Sequence, residues 1–470
     1  MKKIEAFLIV IIVGLIGYLS YDLYGMPIGF SSGNTTELIQ SGEEPKIESK
    51  QTEEILTEEA RVEETREEQE KESDLYEETV TLPSAYDARQ NGRGATIKNQ
   101  GELGTCWAFA ASSALEAALL PDEQLIFSPD HISLQNGYDK NQDEGGAYNM
   151  TMAYLTSWKG PVLEEEDPYG DGYSPDGLQP VKHVQEIQMI KDKDYEEIKR
   201  AVYLYGAVQS SLHMDMQGNR FSSIYYNELQ YAYCYTGEEN ANHDILIIGW
   251  DDDYPAENFT YATQKGAFIC QNSWGDEFAE QGIFYVSYSD KLIGNNCTAI
   301  TKIESANNYD YIYQSDLCGW IGQLGYDRDT CYFANVYESE ANETVEAVGF
   351  YATDVNTSYE VYLMEAYEGS ISMEGIRKVQ SGKLKNAGFY TIDLKESIPI
   401  KGHQKFAVIV KITTPGSVCP VAAEYKADET MASVDVSDGE GYISPNGNNW
   451  VQTEEEYGCN ICLKVYSKAV

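Results

Sequence analysis

The sequence predicts an α+β chain: a two-lobed region with one helical and one β-rich half, followed by an antiparallel β-sandwich. Three observations predict it. CWAFAASSALEAALL, starting at Cys106, contains no Gly or Pro and is rich in strong helix formers. ILIIGW (245–250) and GAFICQNSWG (266–275) are short apolar or β-branched runs bounded by polar turns, the pattern of buried strands. Beyond residue 302, EAVGFYAT (346–353), SYEVYLMEAY (358–367), GFYTIDL (388–394), KFAVIVKIT (405–413) and CLKVYSK (462–468) are β-branched and aromatic runs separated by turn signals.

Residues 1–30 read as a signal peptide or signal anchor. Lys2 and Lys3 precede FLIVIIVGLIGYL at 7–19, a run short for a spanning helix of roughly 20 residues but long enough for a signal peptide's apolar region. No small-x-small cleavage site follows it directly, which favours a retained anchor in the membrane. The lysines place the amino end in the cytoplasm and the rest outside. Residues 31–81 are an acidic linker, with 16 acidic and 5 basic residues within 41–80. Such a segment buries too little apolar surface to fold alone and reads as a solvated stalk, with a short inhibitory pro-segment as the rival.

The whole chain of 470 residues has 77 acidic and 33 basic residues and a formal net charge of −44. That balance excludes nucleic acid as a partner, because phosphate binding requires clustered Lys and Arg. Nine cysteines leave at least one unpaired within the chain. Cys459 and Cys462 form a C-x-x-C with no second pair or histidine cluster at metal spacing, so the pair reads as structural and no metal or organic cofactor is implied.

Cys106 follows the loop-forming NQGELGT, whose Gly101 and Gly104 interrupt any earlier helix. It is therefore expected in a first helical turn, where unpaired N–H groups and the helix dipole favour a thiolate. A thiolate nucleophile needs a base. His131, His183, His213 and His403 lie in helix-like or polar stretches, whereas His243 sits at the mouth of the apolar strand 245–250. Asn272, in the turn that ends the next strand, is placed to fix the imidazole tautomer, and Trp274 to shield that bond from water. Nucleophile, base and orienting amide make an activated-nucleophile set.

NQGELGTCWAF, NHDILIIGW and NSWG, in this order, resemble the papain-like (C1) cysteine peptidases over roughly 82–300. The 137 residues from Cys106 to His243 fall in the family's range. The resemblance implies a papain-like domain over 82–302 with Cys106 as nucleophile, His243 as general base and acid, and Asn272 as orienting residue. It also implies Gln100 as an oxyanion-hole donor and Gly145-Gly146 as the glycines that let a substrate backbone approach. Asp244 follows the histidine at a position that in the family lines a substrate pocket, where it would attract a basic side chain; the alternative is that its carboxylate turns away and caps a loop. Leu103 replaces a cysteine that in many relatives starts a disulfide. The 29 residues between His243 and Asn272 include DDDYPAENFTYATQKG, read as a polar insertion.

With QSDLCGWIGQLGY (314–326) and CYFANVY (331–337), the strands of 303–470 resemble the lectin-like domain that follows papain-like peptidases on some prokaryotic surface proteins. A carbohydrate or cell-surface ligand is the partner this implies; Trp320, Tyr326 and Trp450 are candidates either to stack on it or to pack a core. The resulting expectation is a cell-surface, extracellular cysteine endopeptidase acting on protein or peptide substrates through a thioester. A transpeptidase with the same triad and a surface adhesin with a decayed peptidase domain are the alternatives.

Overall fold

The computed structural model describes residues 29–30, 80–216 and 222–470. The targeting segment and the linker therefore lie almost wholly outside the described residues; Gly29–Phe30 forms a short strand parallel to Gly322–Leu324. No helix among the described residues is long and apolar enough to cross a membrane.

The helical lobe is organised around the helix Cys106–Leu119, which begins at the cysteine. Every residue from Trp107 to Ala117 is buried, so its apolar surface on all sides has partners. Leu120 precedes Pro121, a setting that disfavours helical backbone, and the helix ends there. The helices Pro129–Leu134 and Tyr148–Thr156 pack against it.

The β-rich lobe centres on the strand His243–Asp251, which pairs antiparallel with Val208–Leu212 and with Ala267–Gln271. Its first eight residues are all buried, the continuous apolar pattern of a strand covered on both faces. The Cys106 helix and the helix Tyr195–Tyr205 both lie against it. Residues 252–266, expected as a polar insertion, do connect two strands, but they also close a small core. Phe259 packs with Cys234 and Ala267, and Tyr254 stacks on Tyr285.

From Val208–Leu212 the sheet continues through Asn295–Ser305 and Lys182–Ile190 to Ala387–Ile400. One sheet thus runs from the β-rich lobe into the C-terminal region. The strand Asn295–Ser305 crosses the 302/303 boundary that the sequence suggests, because its pairing with Lys182–Ile190 continues to Ser305. KHVQEIQMI looks polar in isolation. It becomes a strand because two strands from later in the chain, Asn295–Ser305 and Ala387–Ile400, flank it.

Beyond Ala387–Ile400 this sheet adds Glu343–Ala352, Leu463–Ala469 and Tyr311–Tyr313. A six-stranded antiparallel sheet containing Thr330–Glu338, Thr357–Met364 and Lys405–Thr413 faces it. Phe333, Val408, Val410 and Ile412 from one sheet meet Val348, Phe350 and Val465 from the other in a shared core. The expected sandwich is present. Of the three aromatic candidates, Trp320 packs near Tyr351, Tyr326 lies against the sandwich core, and Trp450 joins a cluster around Ile371 and Ile409.

Candidate active site

The loop before the Cys106 helix meets the turn after Ala267–Gln271. Gln100 N–H donates to the Ser273 carbonyl at 2.8 Å, and Gly275 N–H to the Lys98 carbonyl at 3.0 Å. The Gln100 side chain is held as firmly: Nε2 donates to the Leu103 carbonyl at 2.7 Å and Oε1 accepts from Ser273 Oγ at 2.6 Å. The amide's second N–H has no protein partner among the described residues, which leaves a fixed donor beside Cys106. Beneath the loop, Lys98 and Glu116 form a buried ion pair at 2.6 Å, and Lys98 also donates to Ser112 Oγ and the Phe127 carbonyl. That pair ties the Gln100 segment to the Cys106 helix.

His243 opens its strand opposite Leu212 and is 7% exposed. Its Nε2 lies 2.7 Å from Asn272 Oδ1, which also accepts the Ser273 N–H at 2.8 Å. An oxygen that accepts both can only receive a proton from Nε2. The neutral imidazole therefore carries hydrogen on Nε2 and leaves Nδ1 as the basic nitrogen. Trp274 lies 5.0 Å from the His243 ring, centroid to centroid, and meets Phe278 edge-on, covering one side of the His243–Asn272 pair.

The Cys106 sulfur sits within reach of the backbone N–H groups of Asp244, Trp107 and Cys106 itself, which lower its pKa. Burial, aided by the Asp244 carboxylate, outweighs them and pushes the thiol up to about 12. Burial likewise takes His243 down to about 4, against the opposing bond to Asn272. All nine cysteines are free thiols; Cys106 is partly exposed and the other eight are buried.

The paired glycines lie across from the cysteine loop. A Cβ on Gly104 would stand 2.9 Å from Gly145 N, and one on Gly146 would strike the Trp107 indole at 2.3 Å. Gly104 lets two backbones meet, Gly146 leaves room for the Trp107 side chain, and Gly145 adopts φ of 73°. The Cys106 sulfur thus lies against the residue that follows His243, hydrogen bonds join Gln100, Ser273, Asn272 and His243, and Trp274 and the Gly145–Gly146 pair pack beside them.

Asp244 differs from expectation. It is 8% exposed and its carboxylate turns onto the neighbouring strand, accepting from Gln209 Nε2 at 2.8 Å and Ser211 Oγ at 2.7 Å. Burial and these two cross-strand bonds direct the carboxylate into the sheet. Cross-strand register explains this: Asp244 lies directly opposite Ser211.

Residues 82–310 match the family described as "Papain family cysteine protease", and 312–467 match "Lectin like domain". Residues 82–310 are a papain-family cysteine protease domain. Cathepsin K of Mus musculus is 28% identical over 239 residues, 48% of this chain and 64% of the relative. Cathepsin K of Gallus gallus is 31% identical over 213 residues, 43% of this chain and 57% of the relative. The chain thus spans less than two thirds of the length of these curated relatives. Two solved structures of the clostridial cysteine protease Cwp84 align over 83% of this chain at 26% identity. Their TM-scores are 0.74 and 0.72, and 100% and 90% of their own chains are covered. The second holds the cysteine protease and lectin-like domains of Cwp84, described as a surface layer associated protein of Clostridium difficile. The likeness spans the residues of both matched families.

Sequence reasoning missed four supporting residues of this papain-family site. Ser273 bridges Gln100 and Asn272, Lys98 and Glu116 brace the loop from below, and Tyr169 contacts it from a distant segment. Ser273 adjoins Asn272 and was within reach of the motif. Tyr169 lies 69 positions from Gln100, and no local pattern connects the two.

Proposed function

We propose that the chain is an extracellular cysteine endopeptidase in which Cys106, His243 and Asn272 form the catalytic triad. His243 Nδ1 takes the Cys106 proton, and the thiolate attacks the substrate carbonyl carbon. The resulting oxyanion receives hydrogen bonds from Gln100 Nε2 and the Cys106 backbone N–H. The imidazolium then protonates the leaving amine, giving a thioester, and His243 activates a water that hydrolyses it and restores the thiol. Burial disfavours either charge alone, so thiolate and imidazolium form together as each other's counter-ion, with the helix N-terminus assisting. Asn272 holds the ring in the tautomer this requires, and the backbones of Gly145 and Gly146 face the bound peptide.

The observation that carries the reading is the Asn272 Oδ1 contact to His243 Nε2 beside a helix that starts at the thiol. Likeness to a surface layer associated relative supports action outside the cell on protein substrates, with residues 1–30 as the tether. The test is labelling of the intact protein with a thiol-directed epoxide, with the adduct located by mass spectrometry. Label on Cys106 alone, with loss of peptidase activity, is expected. Label scattered over several cysteines, or none, would favour a decayed domain.

A further inference from the structure

We infer that Tyr169 and Thr105 form a positioning clamp that holds the oxyanion hole in register, an inference that rests on the peptidase reading above. The Tyr169 hydroxyl lies 2.8 Å from the Gln100 carbonyl oxygen and 2.7 Å from Thr105 Oγ1. The carbonyl can only accept, so the single phenolic proton goes to Gln100 and the Thr105 hydroxyl donates to the phenolic oxygen. One side chain thereby joins the residue that carries the oxyanion donor to the residue immediately before the nucleophile. Between them lies Gly101–Gly104, with Gly101 at φ of 65°. This glycine-containing loop has little stiffness of its own.

Two further observations support a positioning role. Thr105 stands at the N-cap of the Cys106 helix and is fully buried, yet its side chain caps no helical N–H. Threonine at this position ordinarily accepts a bond from the first turn. Here the hydroxyl is directed to Tyr169, while the N–H groups of Cys106, the proposed oxyanion donor, and Trp107 lie near the thiol. The Tyr169 ring is itself fixed. It meets Phe109 of the same helix edge-on at 4.6 Å between centroids, and its backbone N–H donates to Glu164 Oε1 at 3.1 Å. Gln100 is consequently held at four points: backbone N–H and Oε1 by Ser273, Nε2 by Leu103 and the carbonyl by Tyr169. The last ties Gln100 itself to the start of the helix that carries the nucleophile, as Lys98 and Glu116 tie its neighbouring segment further along.

Tyr169 touches neither sulfur nor imidazole in this arrangement. The clamp therefore predicts a selective defect: oxyanion stabilisation weakens while the thiol and its base are unchanged. Two reactions of the same cysteine separate these. Peptide hydrolysis passes through an oxyanion; alkylation by iodoacetamide displaces iodide at carbon and does not. The experiment compares wild type, Tyr169→Phe, Thr105→Val and Thr105→Ser in the full chain, measuring kcat and KM on a chromogenic peptide and the pH profile of the alkylation rate.

Tyr169→Phe and Thr105→Val should each lower kcat about tenfold, well short of the roughly 10²–10³ lost when an oxyanion donor is removed outright. KM should stay within about twofold, and Thr105→Ser should retain activity because it keeps the hydroxyl. Alkylation rate and pH profile should match wild type in all three. Unchanged kcat, or alkylation that falls in parallel with hydrolysis, would overturn the clamp. A wild-type protein that is alkylated yet hydrolyses no peptide would instead overturn the peptidase reading on which the clamp rests.

Discussion

The papain-family region and the lectin-like region both bury polar groups, but to different ends. Around Cys106 the hydrogen bonds run in a chain: His243 to Asn272, Ser273 to Asn272 and Gln100, Tyr169 to Gln100, Thr105 to Tyr169. Each link is a neutral bond between groups at the cleft, and a donor on Gln100 is left over. In the lectin-like region the Lys464 ammonium and the Asp316 carboxylate meet at 2.8 Å with both side chains at 0% exposure. Gln314 Oε1 takes a second Lys464 bond at 2.9 Å, and Glu424 accepts from Asn460 and the Cys318 backbone. There the two opposite charges meet deep in the fold, while Asp316 Oδ2 and Asn460 Oδ1 have no partner among the described residues. A network of neutral bonds that reaches a partly exposed thiol can act on a substrate; an ion pair sealed from solvent on both sides holds strands together.

The largest contrast should appear when one member of each network is deleted. Cys106→Ala should abolish peptidase activity and leave the melting temperature nearly unchanged, since Ala preserves helix propensity. Lys464→Ala should do the reverse. It strands a buried carboxylate and should cost about 3–5 kcal/mol of stability in a denaturant titration. If Lys464→Ala melted like wild type, the assignment of that pair to the scaffold would be wrong.

Gln100→Ala sharpens the comparison within the cleft. It should lower kcat by about 10²–10³ with little change in stability, because it removes a donor that acts on the transition state. Asn272→Ala should be milder than Cys106→Ala, since it orients the base without bonding to substrate. An Asn272→Ala protein as inactive as Cys106→Ala, yet folded, would contradict that role.

Buried histidines of the first region and buried glutamates of the second should also respond oppositely to pH. His243 and His131 are each held down to about 4 by burial, below the ordinary value of about 6.5. The unfolded chain binds those protons more readily, so stability falls as pH drops from about 6.5 towards about 4. Glu424 is raised to about 7 by burial and by Asp316, and Glu440 to about 8 by burial and neighbouring carboxylates. Here the folded state holds the proton, and stability falls as pH climbs from about 4.5 through those values. Thermal melts across pH 4 to 9 should trace a bell with its maximum between the two limbs. A curve that rises or falls throughout would show that one set does not shift as described.

The same contrast explains what the sequence revealed. Cys106, His243 and Asn272 each sit in a short run whose local pattern, a helix start or a strand end, was visible before any fold was known. The sandwich strands were legible for a similar reason: β-branched and aromatic runs such as KFAVIVKIT bury themselves wherever they pair. Lys182–Ile190 was not legible, because its strand character comes from Asn295–Ser305 on one side and Ala387–Ile400 on the other. The sequence left open whether Asp244 faces a substrate or turns away, because its orientation depends on Gln209 and Ser211 across the sheet. Tyr169 lies in a loop of Pro, Gly and acidic residues, and only the tertiary fold brings its hydroxyl to Gln100.

The central claim, that Gln100 and the Cys106 backbone N–H form an oxyanion hole served by the Cys106–His243–Asn272 set, is tested most directly by a crystal structure of the wild-type protein with a peptide aldehyde. The account predicts a covalent bond from Cys106 Sγ to the aldehyde carbon. The new oxygen should lie about 2.7–3.1 Å from both Gln100 Nε2 and Cys106 N, with the His243–Asn272 bond intact. An adduct on another cysteine, or one on Cys106 whose oxygen points away from Gln100, would contradict it.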